Sequence, residues 1–177
     1  MTNGTQNTEL SAELNAERLL EKLCRDTQAL ISERKIEAPY LIGIRSGGVW
    51  LAERLAKFLG SNEPVGVLDI SFYRDDFTRL GLNPKVGASM LPQPTEDRDI
   101  LLVDDVLMTG RTIRAAMNEL FDFGRPNSVS LITLLDVNGR ELPIQADVTG
   151  GELNLAPGEQ VKLNGPEPLS LTLGQRG

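Results

Sequence analysis

The most informative stretch of the sequence is Ile100-Leu101-Leu102-Val103-Asp104-Asp105-Val106-Leu107-Met108-Thr109-Gly110-Arg111-Thr112. The wholly apolar run Ile100–Val103 is typical of a strand that is covered on both faces. Two adjacent carboxylates follow it, and a short loop over 106–110 then leads into an amphipathic helix. In open α/β sheets ligands bind at the carboxyl ends of the strands, so the pattern predicts a binding site at this point.

The helix start at Thr109–Thr112 predicts a phosphate-binding cup. Backbone N–H groups in the first turn of a helix have no helical partner, and the helix dipole is positive there. Two hydroxyls add donors, and Gly110 lets the backbone approach an anion closely. The preceding carboxylates can accept hydrogen bonds from vicinal hydroxyls, so the combination favours a ribose 5-phosphate group as ligand.

The rest of the chain alternates strands with helices, which predicts an α/β fold with a central parallel sheet flanked by helices. We expect one domain over 1–177, with a flexible flap at about 73–98 and a small C-terminal hood at about 136–177. The hood is predicted to consist of short antiparallel strands, the last of them over Leu169–Leu173. The other predicted elements are a helix from Leu10 to near Lys35, strand Tyr40–Ile44, a helix after Gly48 that Gly60 ends, strand Val65–Phe72, a helix with Ile113, Ala116, Met117, Leu120 and Phe121 inward, and strand Val129–Leu135.

Composition excludes several classes of protein. The 177 residues carry a formal net charge of −7, which argues against a generic nucleic-acid coat protein. The absence of histidine excludes Ser-His-Asp triads, Cys-His dyads and histidine-containing zinc sites. No apolar run reaches the roughly 20 residues that span a bilayer. A single cysteine, Cys24, and no signal-peptide pattern predict a cytoplasmic protein.

Other nucleotide-binding patterns fit less well. Ile100–Asp105 is similar to a Walker B strand, and Gly43–Gly48 has the two-glycine spacing of Walker A, but Val49-Trp50 replaces the required Lys and Ser/Thr. No G-x-G-x-x-G motif follows the first strand, which argues against a dinucleotide fold. A phospho-receiver domain would need its acidic pair near the start of the chain.

Residues 100–112 resemble the phosphoribosyl-pyrophosphate (PRPP) signature of type I phosphoribosyltransferases. Three further segments resemble hallmarks of one subfamily, PyrR, the bifunctional pyrimidine-operon regulators that are also uracil phosphoribosyltransferases. These segments are Leu68-Asp69-Ile70-Ser71-Phe72-Tyr73-Arg74-Asp75-Asp76, Phe123-Gly124-Arg125-Pro126 and Arg140-Glu141-Leu142-Pro143-Ile144. The resemblance covers about residues 10–170 and implies the type I phosphoribosyltransferase fold and the reaction uracil + PRPP → UMP + pyrophosphate.

The resemblance also implies a role for each part of the site. Asp104 and Asp105 would hold the ribose hydroxyls, and Arg74, in the flap, would reach the pyrophosphate. The 5-phosphate would be cradled by Val106, Leu107, Met108, Thr109, Gly110, Arg111 and Thr112, and the pyrophosphate loop would be Arg45, Ser46, Gly47 and Gly48. The base-binding wall would include Asp136, Val137 and Arg140. Mg²⁺ would bind through substrate oxygens, with no protein side chain assigned as a ligand.

The sequence departs from the family pattern at three positions. Gly47 replaces an arginine of the pyrophosphate loop, while Gly139 and Gln28 stand where the family often has histidines that serve RNA recognition. These changes weaken the case for RNA as a partner. Two functions remain open: an enzyme, or a UMP-sensing, RNA-binding regulator of transcription attenuation with weak or vestigial catalysis. Relatives assemble, so a homodimer or a larger homo-oligomer is expected.

Overall fold

A computed structural model describes residues 14–70 and 89–176 of the chain. Its elements in chain order are α1 (Ala16–Glu33), β1 (Tyr40–Ile44), α2 (Gly47–Leu59), β2 (Gly66–Leu68), β3 (Asp99–Leu107), α3 (Arg111–Asp122), β4 (Ser128–Val137), β5 (Val148–Leu153), β6 (Glu159–Asn164) and β7 (Ser170–Gln175). Most of the predicted flap, including Arg74, lies outside the described residues.

A five-stranded sheet in the order β2-β1-β3-β4-β5 forms the centre of the fold. All four strand pairs are parallel, as the alternating pattern predicts. The apolar side chains of β3 alternate between two cores. Leu101 and Val103 pack with α1 and α2 on one face, while Ile100 and Leu102 pack with α3 on the other. The predicted α/β class with helices on both faces is therefore confirmed.

The acidic pair lies within a strand and not after one. The predicted strand Ile100–Val103 extends through Leu107, because Asp104 pairs with Thr133, Val106 with Leu135 and Leu107 with Asp136 of β4. The expected loop over 106–110 is therefore shortened to 108–110. The ladder pairs Asp104 and the residue after Asp105, which gives both carboxylates a more rigid support than a loop would.

The C-terminal region differs from the prediction in one strand. β6 and β7 form the expected antiparallel pair, but β5 joins the central sheet parallel to β4. Two adjacent glycines, Gly150 and Gly151, make the sequence of β5 look like a turn. A Cβ at Gly150 would lie 2.6 Å from the Leu134 carbonyl oxygen and 2.9 Å from that of Leu19 in α1, so the glycine lets the helix pack closely on the sheet.

Two smaller predictions are also corrected. Phe121 is 51% exposed and lies on the outer side of α3, whereas the helical pattern predicts it in the core. The predicted strand Val65–Phe72 is regular only over Gly66–Leu68, and its last two residues lie outside the described part of the chain. No helix within the described residues combines the length and apolar character that crossing a bilayer requires.

Candidate active site

The order of the strands creates a crevice between β1 and β3. The chain passes from β1 outward to β2 and then crosses back to β3 on the other side of β1, so the connections after these strands run in opposite directions. Ligands bind at such switch points, beyond the carboxyl ends of the strands. The predicted pyrophosphate loop follows β1, and the acidic pair lies near the end of β3. The topology thus brings the two predicted segments together.

Glycines allow these two segments to touch. A Cβ on Gly47 would lie 2.6 Å from Oδ2 of Asp105, and a Cβ on Gly48 would overlap the Val103 carbonyl oxygen. Both glycines are buried in the first turn of α2. The Asp105 carboxylate therefore rests directly against the start of α2, where the helix N-terminus favours negative charge.

Backbone hydrogen bonds orient both carboxylates. Oδ1 of Asp104 accepts from the Asp105 N–H at 2.8 Å, and Oδ1 of Asp105 accepts from the Val106 N–H at 2.8 Å. Asp104 is only 5% exposed, whereas Asp105 is half-buried. Because neighbouring side chains on a strand point to opposite faces, the two carboxylates approach the crevice from opposite sides of β3. Such preset geometry suits the recognition of a charged or hydroxylated ligand.

The predicted phosphate cup lies at the start of α3. Gly110 precedes the helix with a φ of 92°, a left-handed conformation that favours glycine. The Thr109 hydroxyl accepts from the Arg111 N–H at 3.1 Å and so orders the turn. Leu107 is 1% exposed and packs in the core, which leaves only its backbone for ligand contact.

The segment after β4 is hydrogen-bonded to the loop that forms the phosphate cup. The Thr109 carbonyl accepts from the N–H groups of Glu141 and Leu142 at 3.0 and 3.1 Å. The Arg111 Nε donates to the Glu141 carboxylate at 2.8 Å, although both side chains are exposed. The sequence did not indicate this support, because it joins residues about 30 positions apart.

The three residues of the predicted base-binding wall line one cleft. Arg140 bridges two elements: its Nη2 donates to Asp136 Oδ1 at 2.7 Å, and its Nη1 donates to the Met108 carbonyl at 2.8 Å. The cleft has a volume of about 480 Å³. Its lining residues are Asp136, Val137, Asn138, Gly139, Arg140, Glu152, Leu153 and Asn154. Through Met108 the cleft adjoins the phosphate cup.

Arg45 of the predicted pyrophosphate loop has a partner that sequence reasoning missed. Its Nη1 lies 3.4 Å from Oδ2 of Asp69, whose side chain is only 8% exposed. Asp69 directly follows β2, so it occupies the same carboxyl edge of the sheet as the acidic pair. The sequence prediction placed Asp69 inside a strand over Val65–Phe72 and not at its carboxyl end. The available signal was an acidic residue that interrupts an otherwise apolar strand pattern.

The side-chain oxygens of this site suit Mg²⁺ binding only together with oxygen atoms of the substrate. No group of three or more His, Cys, Asp or Glu side chains within residues 14–70 and 89–176 could hold a metal ion. Asp104 and Asp105 supply hard oxygen atoms at the crevice. One or two carboxylates together with substrate oxygens are a usual environment for Mg²⁺, so the residues present fit this ion.

Comparison with known proteins places the chain in a family. Residues 11–168 match the phosphoribosyl transferase domain. Bifunctional protein PyrR of Pseudomonas paraeruginosa is 57% identical over 157 residues, which cover 89% of this chain and 92% of the relative. Bifunctional protein PyrR of Nitrosococcus oceani is 54% identical, with coverage of 90% and 92%.

Solved structures show the same fold at lower sequence identity. The HGPRT-ase of Leishmania tarentolae in complex with GMP superposes with a TM-score of 0.62 at 19% identity, covering 84% of this chain and 82% of that one. A hypoxanthine phosphoribosyltransferase of Staphylococcus aureus gives 0.60 at 23% identity, covering 80% and 76%. With the sequence relatives above, this common fold leads to one conclusion: the chain belongs to the type I phosphoribosyltransferase superfamily and, within it, to the PyrR family.

Proposed function

We propose that this protein is a uracil phosphoribosyltransferase that makes UMP and pyrophosphate from uracil and PRPP, and that it links this reaction to the regulation of pyrimidine synthesis. One observation carries the proposal. The oriented carboxylates of Asp104 and Asp105 lie near the carboxyl end of β3, with Asp105 against the first turn of α2 and the positive-φ Gly110 three residues beyond the strand. A diol acceptor flanked by two anion sites matches the ribose, 5-phosphate and pyrophosphate of PRPP. Membership of the PyrR family supports uracil as the base.

The reaction replaces one bond at the ribose C1′ atom by another. The bond from C1′ to the pyrophosphate oxygen breaks, and its electron pair leaves with pyrophosphate. A uracil nitrogen forms the new bond to C1′ and loses its proton. Positive charge develops on the ribose ring as the leaving group departs, and the carboxylates of Asp104 and Asp105, already oriented by backbone N–H groups, stabilise that charge.

The leaving group is stabilised from the other side of the crevice. Arg45, the N-terminus of α2 and, from the flap, Arg74 bind the pyrophosphate, and Gly110 with Thr109 and Thr112 binds the 5-phosphate. Asp104 and Asp105, together with substrate oxygens, would hold Mg²⁺, which when bound would neutralise charge on the pyrophosphate. The chain has no histidine, so the uracil proton does not pass to an imidazole. We propose that it passes to water, helped by the positive charge of Arg45 and Arg140.

The regulatory part of the proposal uses the same pocket, because bound UMP reports the supply of pyrimidine nucleotides. The relatives are named bifunctional, which supports a second role. RNA is the less supported partner. Six basic residues could contribute to such a surface: Arg18, Lys22, Arg25, Arg34, Lys35 and Arg140. Three of the six are in ion pairs, namely Lys22 with Asp26, Arg34 with Asp147 and Arg140 with Asp136. A titration of a leader-type RNA hairpin with and without UMP tests this role, and tight binding strengthened by UMP would make the regulator the primary function.

The proposal also includes a cellular location and an assembly state. We place the protein in the cytoplasm, since Cys24 is a buried free thiol. We also expect a homodimer or a larger homo-oligomer, which light scattering on the purified protein would measure.

The catalytic assignment is tested by removing one charge at a time. Asp104→Asn and Asp105→Asn keep the shape of each side chain, and each should lower kcat/KM by about a hundredfold or more, since one preorganised charge contact is lost. Asp122→Asn, at the exposed end of α3, is the matched control and should keep full activity. Wild-type activity in both site variants would contradict the ribose assignment.

A further inference from the structure

The position of Arg45 depends on the chain just beyond β2. Its guanidinium contacts the carboxylate of Asp69 at 3.4 Å, and its backbone N–H donates to the Leu68 carbonyl at 2.9 Å. The Asp69 side chain is nearly buried, whereas that of Arg45 is 39% exposed. A long exposed side chain is mobile unless a fixed partner restrains it. Whatever holds Asp69 in place therefore also determines where the guanidinium points.

Ser89 holds the backbone of Asp69. Its hydroxyl accepts from the Asp69 N–H at 3.0 Å. The next residue, Met90, forms a two-way backbone bridge with Val67 of β2, at 2.7 and 2.8 Å. The chain is thus attached to the end of β2 at two successive residues, and it reaches Asp69 from a position 20 residues further along the sequence.

Glu119 of α3 holds Ser89 in turn. The Ser89 hydroxyl donates to Oε1 of Glu119, so its single proton points away from Asp69 and its lone pair points toward the Asp69 N–H. The second oxygen, Oε2, is buried without a hydrogen-bond partner in the described part of the chain. A buried carboxylate oxygen without a partner is costly, and such groups in native proteins call for an explanation beyond packing.

We propose that Ser89 and Glu119 are positioning residues that hold Asp69 and, through it, orient Arg45 toward the pyrophosphate end of PRPP; this inference rests on the proposed function. The three residues Ser89, Glu119 and Asp69 are called the Ser89 clamp below. The helix α3 carries the phosphate cup at its N-terminus and Glu119 eight residues after Arg111. One rigid helix therefore sets the distance between the sites for the two ends of the substrate.

The test compares two ligands that occupy different parts of the site. Pyrophosphate with Mg²⁺ uses the Arg45 side, and UMP uses the phosphate cup. Ser89→Ala and Glu119→Ala should each weaken pyrophosphate binding about tenfold, since each removes one hydrogen bond that orients a charged group. The affinity for UMP should stay at the wild-type value, which also shows that the variants are folded. Ser89→Thr keeps the hydroxyl and should restore pyrophosphate binding, and Ser32→Ala, at an exposed position of α1, is the matched control.

Repeating the substitution in an Arg45→Ala protein distinguishes a positioning role of Ser89 from a general loss of structure. In an Arg45→Ala protein, adding Ser89→Ala should cause no further loss of pyrophosphate binding, because the clamp acts through Arg45. The inference is overturned if the clamp variants bind pyrophosphate normally, if they lose UMP and pyrophosphate equally, or if the loss persists unchanged in the Arg45→Ala background. Wild-type protein that makes no UMP from uracil and PRPP would instead overturn the proposed function itself.

Discussion

Replacing Gly110 by alanine tests the phosphate cup most sharply, because the chain offers a matched glycine elsewhere. Gly110 has a φ of 92°, and a Cβ there would lie 3.3 Å from Ile144 Cβ and 3.4 Å from Leu142 Cβ. Gly60, at the end of α2, has a φ of 71°, and a Cβ added there would have no neighbouring atom within 4 Å among the described residues. Both substitutions therefore strain the backbone, but only one also crowds the cup.

The backbone conformation and the crowding at each glycine set the expected effects. A left-handed conformation costs a residue other than glycine about 1–2 kcal/mol, so both variants should lose roughly that much free energy of unfolding. Gly110→Ala should lose about 1 kcal/mol more, because its methyl group pushes on Leu142 and Ile144. The Leu142 N–H donates to the Thr109 carbonyl, so a displacement of Leu142 also displaces the phosphate cup. We expect UMP binding to fall at least about tenfold in Gly110→Ala and to remain unchanged in Gly60→Ala.

Chemical denaturation measures the stability of the two variants, and isothermal titration calorimetry measures their UMP affinity. The informative quantity is the difference in UMP affinity after both variants are shown to be folded. If Gly110→Ala bound UMP as tightly as the wild-type protein while losing only as much stability as Gly60→Ala, Gly110 would not shape the phosphate cup.

Three further predictions concern other parts of the molecule. Gly47→Ala should displace the Asp105 carboxylate, whose Oδ2 lies 2.6 Å from the added Cβ, and lower kcat/KM by about tenfold or more. Gly174→Ala, where an added Cβ has no atom of the described residues within 4 Å, should be neutral in the same assay. Arg140→Ala breaks the bonds to Asp136 and Met108 and should raise KM for uracil more than KM for PRPP; equal changes in steady-state kinetics would argue against a base-binding wall. Hydrogen bonds from Ser128 and then Asn127 lower the pKa of Asp99, so its contribution to stability is present above its unfolded pKa and is lost as pH falls through the lower folded value. Denaturation curves below roughly pH 4 should therefore show a weaker pH dependence for Asp99→Asn, and an unchanged dependence would contradict the assignment.

Sequence reasoning succeeded where the signal was local. The apolar run before Asp104, the glycine at the start of α3 and the stop at Gly60 each act through near neighbours in the chain. Gly60 closes α2 with a φ of 71°, and its N–H is bonded back to the Lys57 carbonyl. Patterns of this kind predicted four of the five central strands as strands and the helices between them, although their ends shifted by a few residues.

The features that sequence reasoning missed depend on distant partners. The hydrogen bonds of the Ser89 clamp join residues 20 and 30 positions apart, and no local pattern records them. The strand β5 contains Gly150 and Gly151, which are typical of a turn, and the close approach of α1 and β4 accounts for them. The extension of β3 through the acidic pair likewise requires β4 beside it, because adjacent carboxylates are poor strand formers on their own.

Uracil phosphoribosyltransferase activity is measured by supplying purified protein with PRPP, Mg²⁺ and one free nucleobase at a time and quantifying the nucleotide and pyrophosphate formed. We predict UMP and pyrophosphate in equal amounts with uracil, and far less product with cytosine, hypoxanthine or guanine. Asp105→Asn should lower the uracil reaction by about a hundredfold or more under the same conditions. Product with a purine base but none with uracil would contradict the account.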